Sequence, residues 1–144
     1  MVEGASSGEE YLKLLSKRRR QGLQRHDRLL TKAGAGIEVV REWEGGRHFA
    51  DLVRLHQIRW ERDGQPGRFG NPRFTEFLRS VTERLISEGK ARIYFMRYGS
   101  ERIAALLTFD VNRQNCQYLV GRNPAHELMR YSVGEVLAMR GFID

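Results

Sequence analysis

From residue 92 onward the apolar pattern takes a period of two, and one run in that stretch restricts the fold more than any other part of the chain. Residues 103–109, Ile-Ala-Ala-Leu-Leu-Thr-Phe, are apolar at nearly every position. A strand with one face in water alternates apolar and polar residues, whereas a continuously apolar strand is covered on both faces. The run therefore reads as the central strand of a sheet with helices on either side. Residues 92–98 and 101–110 read as strands meeting at Gly99-Ser100, a two-residue hairpin signal. Residues 111–115 then turn the chain into a third strand at 116–121.

The preceding ninety residues supply the helices. Ser7-Gly8-Glu9-Glu10 matches a capping box, and Leu12, Leu15, Leu23 and Leu30 recur at roughly helical spacing. This predicts one long first helix, weakened at Gly22 and ended by Gly34 and Gly36. A β-rich run, Ile37-Glu38-Val39-Val40, predicts a strand over 37–41. Over 46–62, Phe49, Leu52, Val53, His56 and Trp60 share one helical face, and His56 there reads as a packed, hydrogen-bonded core residue. A loop rich in breakers follows at 63–70, with Phe69 as its anchor or as part of a substrate cleft. Asn71 and Pro72 suit a cap and first helical position, and Phe74, Phe77, Leu78, Val81 and Leu85 make a second stripe that Gly89 ends.

Composition narrows the class. A length of 144 residues suits one domain. No long uncharged apolar run predicts a membrane span, and residues 1–8 carry no apolar run of the kind a secretion signal needs. The single cysteine, Cys116, excludes an intramolecular disulfide and suits a reducing cytoplasm. Four scattered histidines show no zinc spacing, so no metal is expected. The net charge of +7 is concentrated. Lys17, Arg18, Arg19, Arg20, Arg25, Arg28 and Lys32 stand against Asp27 alone within 17–32. Such a segment suits nucleic acid, an acidic membrane face or a phosphate-bearing cofactor, or else forms a solvated helix face.

Chemistry gathers at 117–140. A strand at 117–121 leads through an irregular polar segment, 122–130, to Tyr131-Ser132-Val133-Gly134-Glu135, which opens an apolar helical pattern. The first N–H groups of a helix lack intrahelical partners and the dipole there favours anions. Ser132 can cap, and Gly134 carries no side chain to hold a phosphate off the backbone. Arg130 could add a charged donor. The pattern reads as a pyrophosphate cradle.

The order helix, strand, two helices, three-strand meander and phosphate-binding helix resembles the GNAT acyltransferase fold. More closely, the chain is similar to the GNAT branch of CelD/BcsL-type acetyltransferases, linked by name to cellulose biosynthesis. The residues carrying the resemblance are Ser7-Gly8-Glu9-Glu10-Tyr11-Leu12 with the basic helix, Leu55-His56-Gln57-Ile58-Arg59-Trp60, Gly67-Arg68-Phe69, and Pro72-Arg73-Phe74 with Phe77. It continues through Tyr118-Leu119-Val120-Gly121-Arg122-Asn123-Pro124 and Arg130-Tyr131-Ser132-Val133-Gly134. Val133 stands where the family usually has proline, and Asn123 where it often has aspartate. The resemblance implies an α/β (in some schemes α+β) partial GNAT fold, a mixed sheet with flanking helices that ends within the cofactor-binding helix. It implies a basic helix, 1–36, packed on an incomplete acyltransferase domain, 37–144.

The resemblance also implies acetyl-CoA as co-substrate. Its pantetheine arm would lie along Tyr118, Leu119, Val120 and Gly121. Its pyrophosphate would sit on Ser132, Val133, Gly134 and Glu135, near Arg130. An amine or hydroxyl acceptor would attack the thioester directly. A base is then needed, and Glu127, His126 and Asp110 are the nearby titratable groups, with Cys116 a poor nucleophile for want of an adjacent base. The alternatives are an aminoacyl-tRNA-dependent transferase of similar fold, or a non-catalytic nucleic-acid-binding module using the basic helix. Against the module, that helix lacks interleaved aromatics, and no helix-turn-helix, zinc or RNP signature is present.

Overall fold

The chain's structure, a computed structural model, describes residues 8–141. Four strands, β1 (Ala35–Val40), β2 (Ala91–Tyr98), β3 (Glu101–Val111) and β4 (Gln114–Arg122), form one sheet in the order β1-β2-β3-β4. Every neighbouring pair is antiparallel, where the sequence reading expected a mixed sheet. Two of the pairs are the hairpins read from the sequence, and β1 runs antiparallel beside β2 across a long helical connection. Tight hairpins join β2 to β3 and β3 to β4, and a hairpin reverses the chain. Gly99 takes the left-handed conformation in the first turn, and Asn112 and Arg113 take it in the second, a shorter turn than the 111–115 expected.

Among the described residues five α-helices flank the sheet: α1 (Gly8–Leu14), α2 (Lys17–Lys32), α3 (Arg47–Arg62), α4 (Pro72–Ser87) and α5 (Val133–Gly141). Strand β3 decides their placement. Its residues Ile103, Ala104, Ala105, Leu106 and Leu107 are all fully shielded. Ala104 and Leu106 pack with Leu23 and Leu30 of α2 and Val136 and Leu137 of α5. Ala105 and Leu107 face the other way, onto Phe49, Leu52 and Leu55 of α3 and Leu78 and Ile86 of α4. Each large side chain buried in this way contributes about 1.5–3 kcal/mol. The two-faced burial read from the sequence is what the structure has.

The helices depart from the reading in places. The single first helix is two, because the chain breaks at Leu15-Ser16. There the Ser16 hydroxyl accepts a bond from Arg19 N (3.3 Å) and starts α2 afresh. A serine able to satisfy an orphan amide competes with helix continuation. Gly22, the expected weak point, lies inside α2. The Ser7 cap lies outside the described residues. Asn71 caps α4 as expected, accepting from Arg73 N and Phe74 N. The apolar stripes are rotated from their reading. Leu78, Thr82 and Ile86 face the core of α4 while Phe77 is 64% exposed. On α3 the buried positions include Leu55, whereas Trp60 lies at the surface.

A β-bulge organises the polar end of the sheet. Met96 faces Ala104 but Arg97 faces Arg102, so Ile103 is unmatched and Arg102 turns toward α3. Its guanidinium makes two bonds to Glu38 (2.6 and 3.1 Å) and one to Asp51 (2.9 Å), meets His48 Nδ1 (3.0 Å), and lies 4.0 Å from the Phe95 ring centre. The bond from Arg102 holds the Glu38 carboxyl below its usual range. Burial pushes Asp51 up, but bonds from Arg102 and Arg54 outweigh it and the net direction is down. Carboxyls depressed on folding stabilise above their unfolded pKa, and that stability is lost as pH falls through the folded values. Replacing Arg102 by Met leaves Glu38 with Arg97 and Asp51 with Arg54, so urea unfolding at neutral pH should show a loss of roughly 1–3 kcal/mol. The gap between wild type and Arg102→Met should narrow when the measurement is repeated at about pH 3, where both carboxyls are protonated in the unfolded chain.

Candidate active site

Helix α3 lies against β4 at a distance set by a glycine. A Cβ on Gly121 would stand 2.6 Å from His56 N and 2.8 Å from the Leu55 carbonyl carbon, so the helix backbone occupies the space a side chain would need. Strand β4 is an edge of the sheet, and its pairing with β3 slips once. Leu107 faces Leu119 but Thr108 faces Gln117, which leaves Tyr118 unmatched in a second bulge. Tyr118 is exposed, its ring 5.3 Å from Phe109, with Arg68 over it at 5.9 Å. Gln117 turns to the opposite face, where its Nε2 donates to the Ala138 carbonyl of α5 (3.0 Å).

Between β4, α3 and α5 runs a cleft of about 390 Å³. His56, Arg59 and Trp60 line it from α3, Gln117, Val120, Gly121 and Arg122 from β4, and Gly134, Glu135 and Ala138 from α5, with Tyr11 reaching in from α1. Burial, and then the Glu135 charge, push the Tyr11 phenol up, with Arg19 opposing them. It is a neutral hydroxyl at physiological pH. The first backbone bond inside α5 runs from Val136 N to Ser132 O (3.0 Å), so the amides of Val133, Gly134 and Glu135 precede it. Space around Gly134 is open. The nearest atom to a Cβ there would be Val120 Cγ1, at 3.8 Å.

A second cleft, of about 360 Å³, adjoins the same helix start from the α2 side and is lined by Ser16, Arg18, Arg19, Gly22, Leu23, His26, Ser132 and Glu135. Arg19 pairs with Glu135 across it at 3.3 Å. The basic segment and the start of α5 are therefore neighbours. Lys17, Arg18, Arg19 and Arg25 are exposed and Arg20 is half-buried.

Of the residues expected to contact a cofactor, Val120, Gly121, Gly134 and Glu135 meet at the first cleft. Leu119 and Val133 are buried in the two cores, so their side chains are unavailable there. Tyr118 is turned away by the bulge. Arg130 stacks on Tyr131 (4.8 Å) and lines neither cleft. Ser132 does not have cap geometry. A capping residue needs an extended backbone, whereas Ser132 has φ 52° and ψ 46°, and its hydroxyl bonds His26 Nδ1 at 3.1 Å.

The expected titratable candidates are committed elsewhere. Asp110 accepts from Arg92 (3.2 Å) and Asn115 (3.0 Å), and His126 Nδ1 accepts from Leu128 N (3.2 Å). Glu127 is exposed and Cys116 half-buried, both outside the cleft. What the sequence reading missed is the α3 wall. His56, Arg59 and Trp60 stand at i, i+3 and i+4, a spacing that puts three polar or amphipathic side chains on one helical strip. Among the described residues no group of three or more His, Cys, Asp or Glu could hold a metal ion, and no helix is long and apolar enough to cross a membrane.

Helices cover both faces of an antiparallel sheet, and its bulged edge strand shares a cleft with the start of α5. The chain belongs to the GNAT acetyltransferase family: the family model described as "Acetyltransferase (GNAT) domain" matches residues 17–142, from the first residue of α2 onward. Among curated proteins, none matches the sequence.

The two glycines of the cleft differ in kind, and alanine separates them. Gly121→Ala forces α3 off the sheet and should cost about 1–3 kcal/mol in urea unfolding. Gly134→Ala meets only an ordinary contact inside a helix, so its stability should equal or exceed wild type by up to ~1 kcal/mol.

Proposed function

We propose that the protein transfers an acetyl group from acetyl-CoA to an amine or hydroxyl acceptor, and that its cofactor slot is the cleft between β4 and α5. The observation that carries this reading is the junction of three features in that cleft: an edge strand, a side-chain-free Gly134 and the open start of α5. The donor has a diphosphate, an amide-bearing arm and a thioester, and the chain offers a matching group for each. The Val133, Gly134 and Glu135 amides, at the positive end of the α5 dipole, would hold the diphosphate. Arg18 and Arg19 would add charge from α2, in the role the sequence suggested for Arg130. The Arg19–Glu135 pair supports this arrangement, because an unpaired Glu135 carboxylate would repel the anion. Backbone groups on the outer edge of β4 would pair with the amides of the arm.

Bound this way, the donor supplies an activated acyl carbon, and the chain supplies position. Holding acceptor and thioester together in the cleft removes the entropy of encounter, which is worth several kcal/mol. The motifs shared with CelD/BcsL-type acetyltransferases support placement in that branch, with residues 1–36 packed on a 37–144 catalytic part. The single thiol suits a cytoplasmic setting.

Calorimetry and thermal unfolding with acetyl-CoA test the reading. A saturating donor at about 100 times its Kd should stabilise the fold by ~2.7 kcal/mol. Gly134→Phe projects a ring toward β4 and should weaken binding about tenfold or more, roughly 1.4 kcal/mol, without lowering the stability of the free protein. If acetyl-CoA produces neither heat nor a shift in Tm, the assignment is wrong.

A further inference from the structure

His56 is 7% exposed and lies in the wall of the cleft, where its Nδ1 stands 3.2 Å from the Val120 carbonyl oxygen. A carbonyl only accepts, so Nδ1 is the donor and carries the ring proton. Nε2 is left as a bare lone pair. That nitrogen is buried and has no hydrogen-bond partner among the described residues. Such an atom is uncommon, because a buried polar group without a partner forfeits the bonds it would make in water. The other described histidines differ. His26 is bonded to Ser132, His48 lies between Arg102 and Glu44, and His126 accepts from Leu128 N. The orphan nitrogen is on the one histidine that shares a cleft with Gly121 and Gly134.

Resting on the acyl-transfer reading above, we propose that His56 is the proton acceptor of the reaction, taking the acceptor's proton on Nε2 through one water admitted when the acceptor fills the cleft and displaces the side chains that shield this nitrogen. The step balances. The acceptor nitrogen or oxygen bonds to the acyl carbon, the carbon–sulfur bond breaks, and the acceptor's proton passes to Nε2. From there it returns to the departing sulfur, which leaves as the thiol. The Val120 carbonyl fixes the tautomer that this transfer requires, in the way a second group orients a catalytic imidazole.

The surroundings keep the base free of a proton beforehand. Burial lowers the His56 pKa below the usual histidine range, the Val120 bond opposes this, and the Arg68 and Arg59 charges lower it further. Facing the ring are Trp60 (6.2 Å) from its own helix and Phe69 (5.3 Å) from the loop that follows, and Glu135 lines the same cleft. The imidazole is therefore neutral near physiological pH and able to receive a proton.

The test compares wild type with His56→Asn, whose amide keeps a donor for the Val120 carbonyl but has no basic nitrogen. Acetyl-CoA is the probe and water the stand-in acceptor, with thiol release as the rate. The expected result is unchanged acetyl-CoA affinity with thiol release about 10²-fold slower or worse. Added imidazole should restore part of the rate to His56→Gly but none to His56→Asn. A purely packing role for His56 would show no such rescue. Imidazole nitrogen chemical shifts of the wild-type protein, which need no variant, should show a protonated Nδ1 and a bare Nε2 at neutral pH. Wild-type turnover in His56→Asn, the opposite tautomer, or a wild-type protein that binds acetyl-CoA without releasing thiol would each overturn the inference and leave the binding site intact. Failure of wild type to bind acetyl-CoA would instead remove the acyl-transfer reading, and this inference with it.

Discussion

The closeness of α3 to β4 governs most of what the cleft can do. With hydrogen alone on the Gly121 α-carbon, the helix backbone comes within contact of the strand backbone. Leu55 and Leu119 then close the core beneath them, and the next side chain along the helix, His56, comes level with the Val120 carbonyl. Phe69 fixes the arrangement from the side, with its ring perpendicular to His56 and to Phe49 and tilted on Phe74. The loop that carries Phe69 thus anchors the wall of the cleft. A helix seated farther out would leave His56 short of the strand and the cleft without a rigid side.

Most of the sheet could be read from local pattern, because strand existence and hairpin turns depend on residues close in sequence. The apolar run of β3 announced a covered central strand, and Asn71-Pro72 announced the start of α4. What could not be read were features created by residues far apart. The His26–Ser132 bond spans 106 positions, and the Gln117–Ala138 bond depends on a slipped register that no spacing rule encodes. His56 shows the limit most clearly. Its place on the apolar face of α3 correctly marked it as packed and hydrogen-bonded, yet the vacancy at Nε2 exists only because Val120, 64 residues away, takes the other nitrogen. Helical faces were read to within a turn but not to the residue, since tertiary packing rotated Phe77 outward and drew Leu55 in.

Charge is distributed with more economy than the net +7 suggests. Asp27, the lone acid of the basic segment, receives Arg140 of α5 through three contacts of 2.8–3.1 Å, and Arg19 receives Glu135. These two ties hold α2 against α5 at both ends of the contact. Arg18 and Arg25 make no ion pair among the described residues and remain exposed on the same helix. Part of the charge of the basic segment therefore fastens the helices, and the rest lies exposed.

The slip at Tyr118 divides β4 into two pieces of opposite parity. Leu119 and Gly121 point at α3, and strict alternation would send Gln117 the same way, but the extra residue lets it reach α5. The tolerance of this segment to change is therefore a matter of counting. Many side chains could replace the exposed tyrosine, but drawing that position into the ladder as a paired residue would send Gln117 toward α3 and untie α5 from the strand. A shift of pairing register, more than a change of side chain, is what this part of the chain cannot absorb.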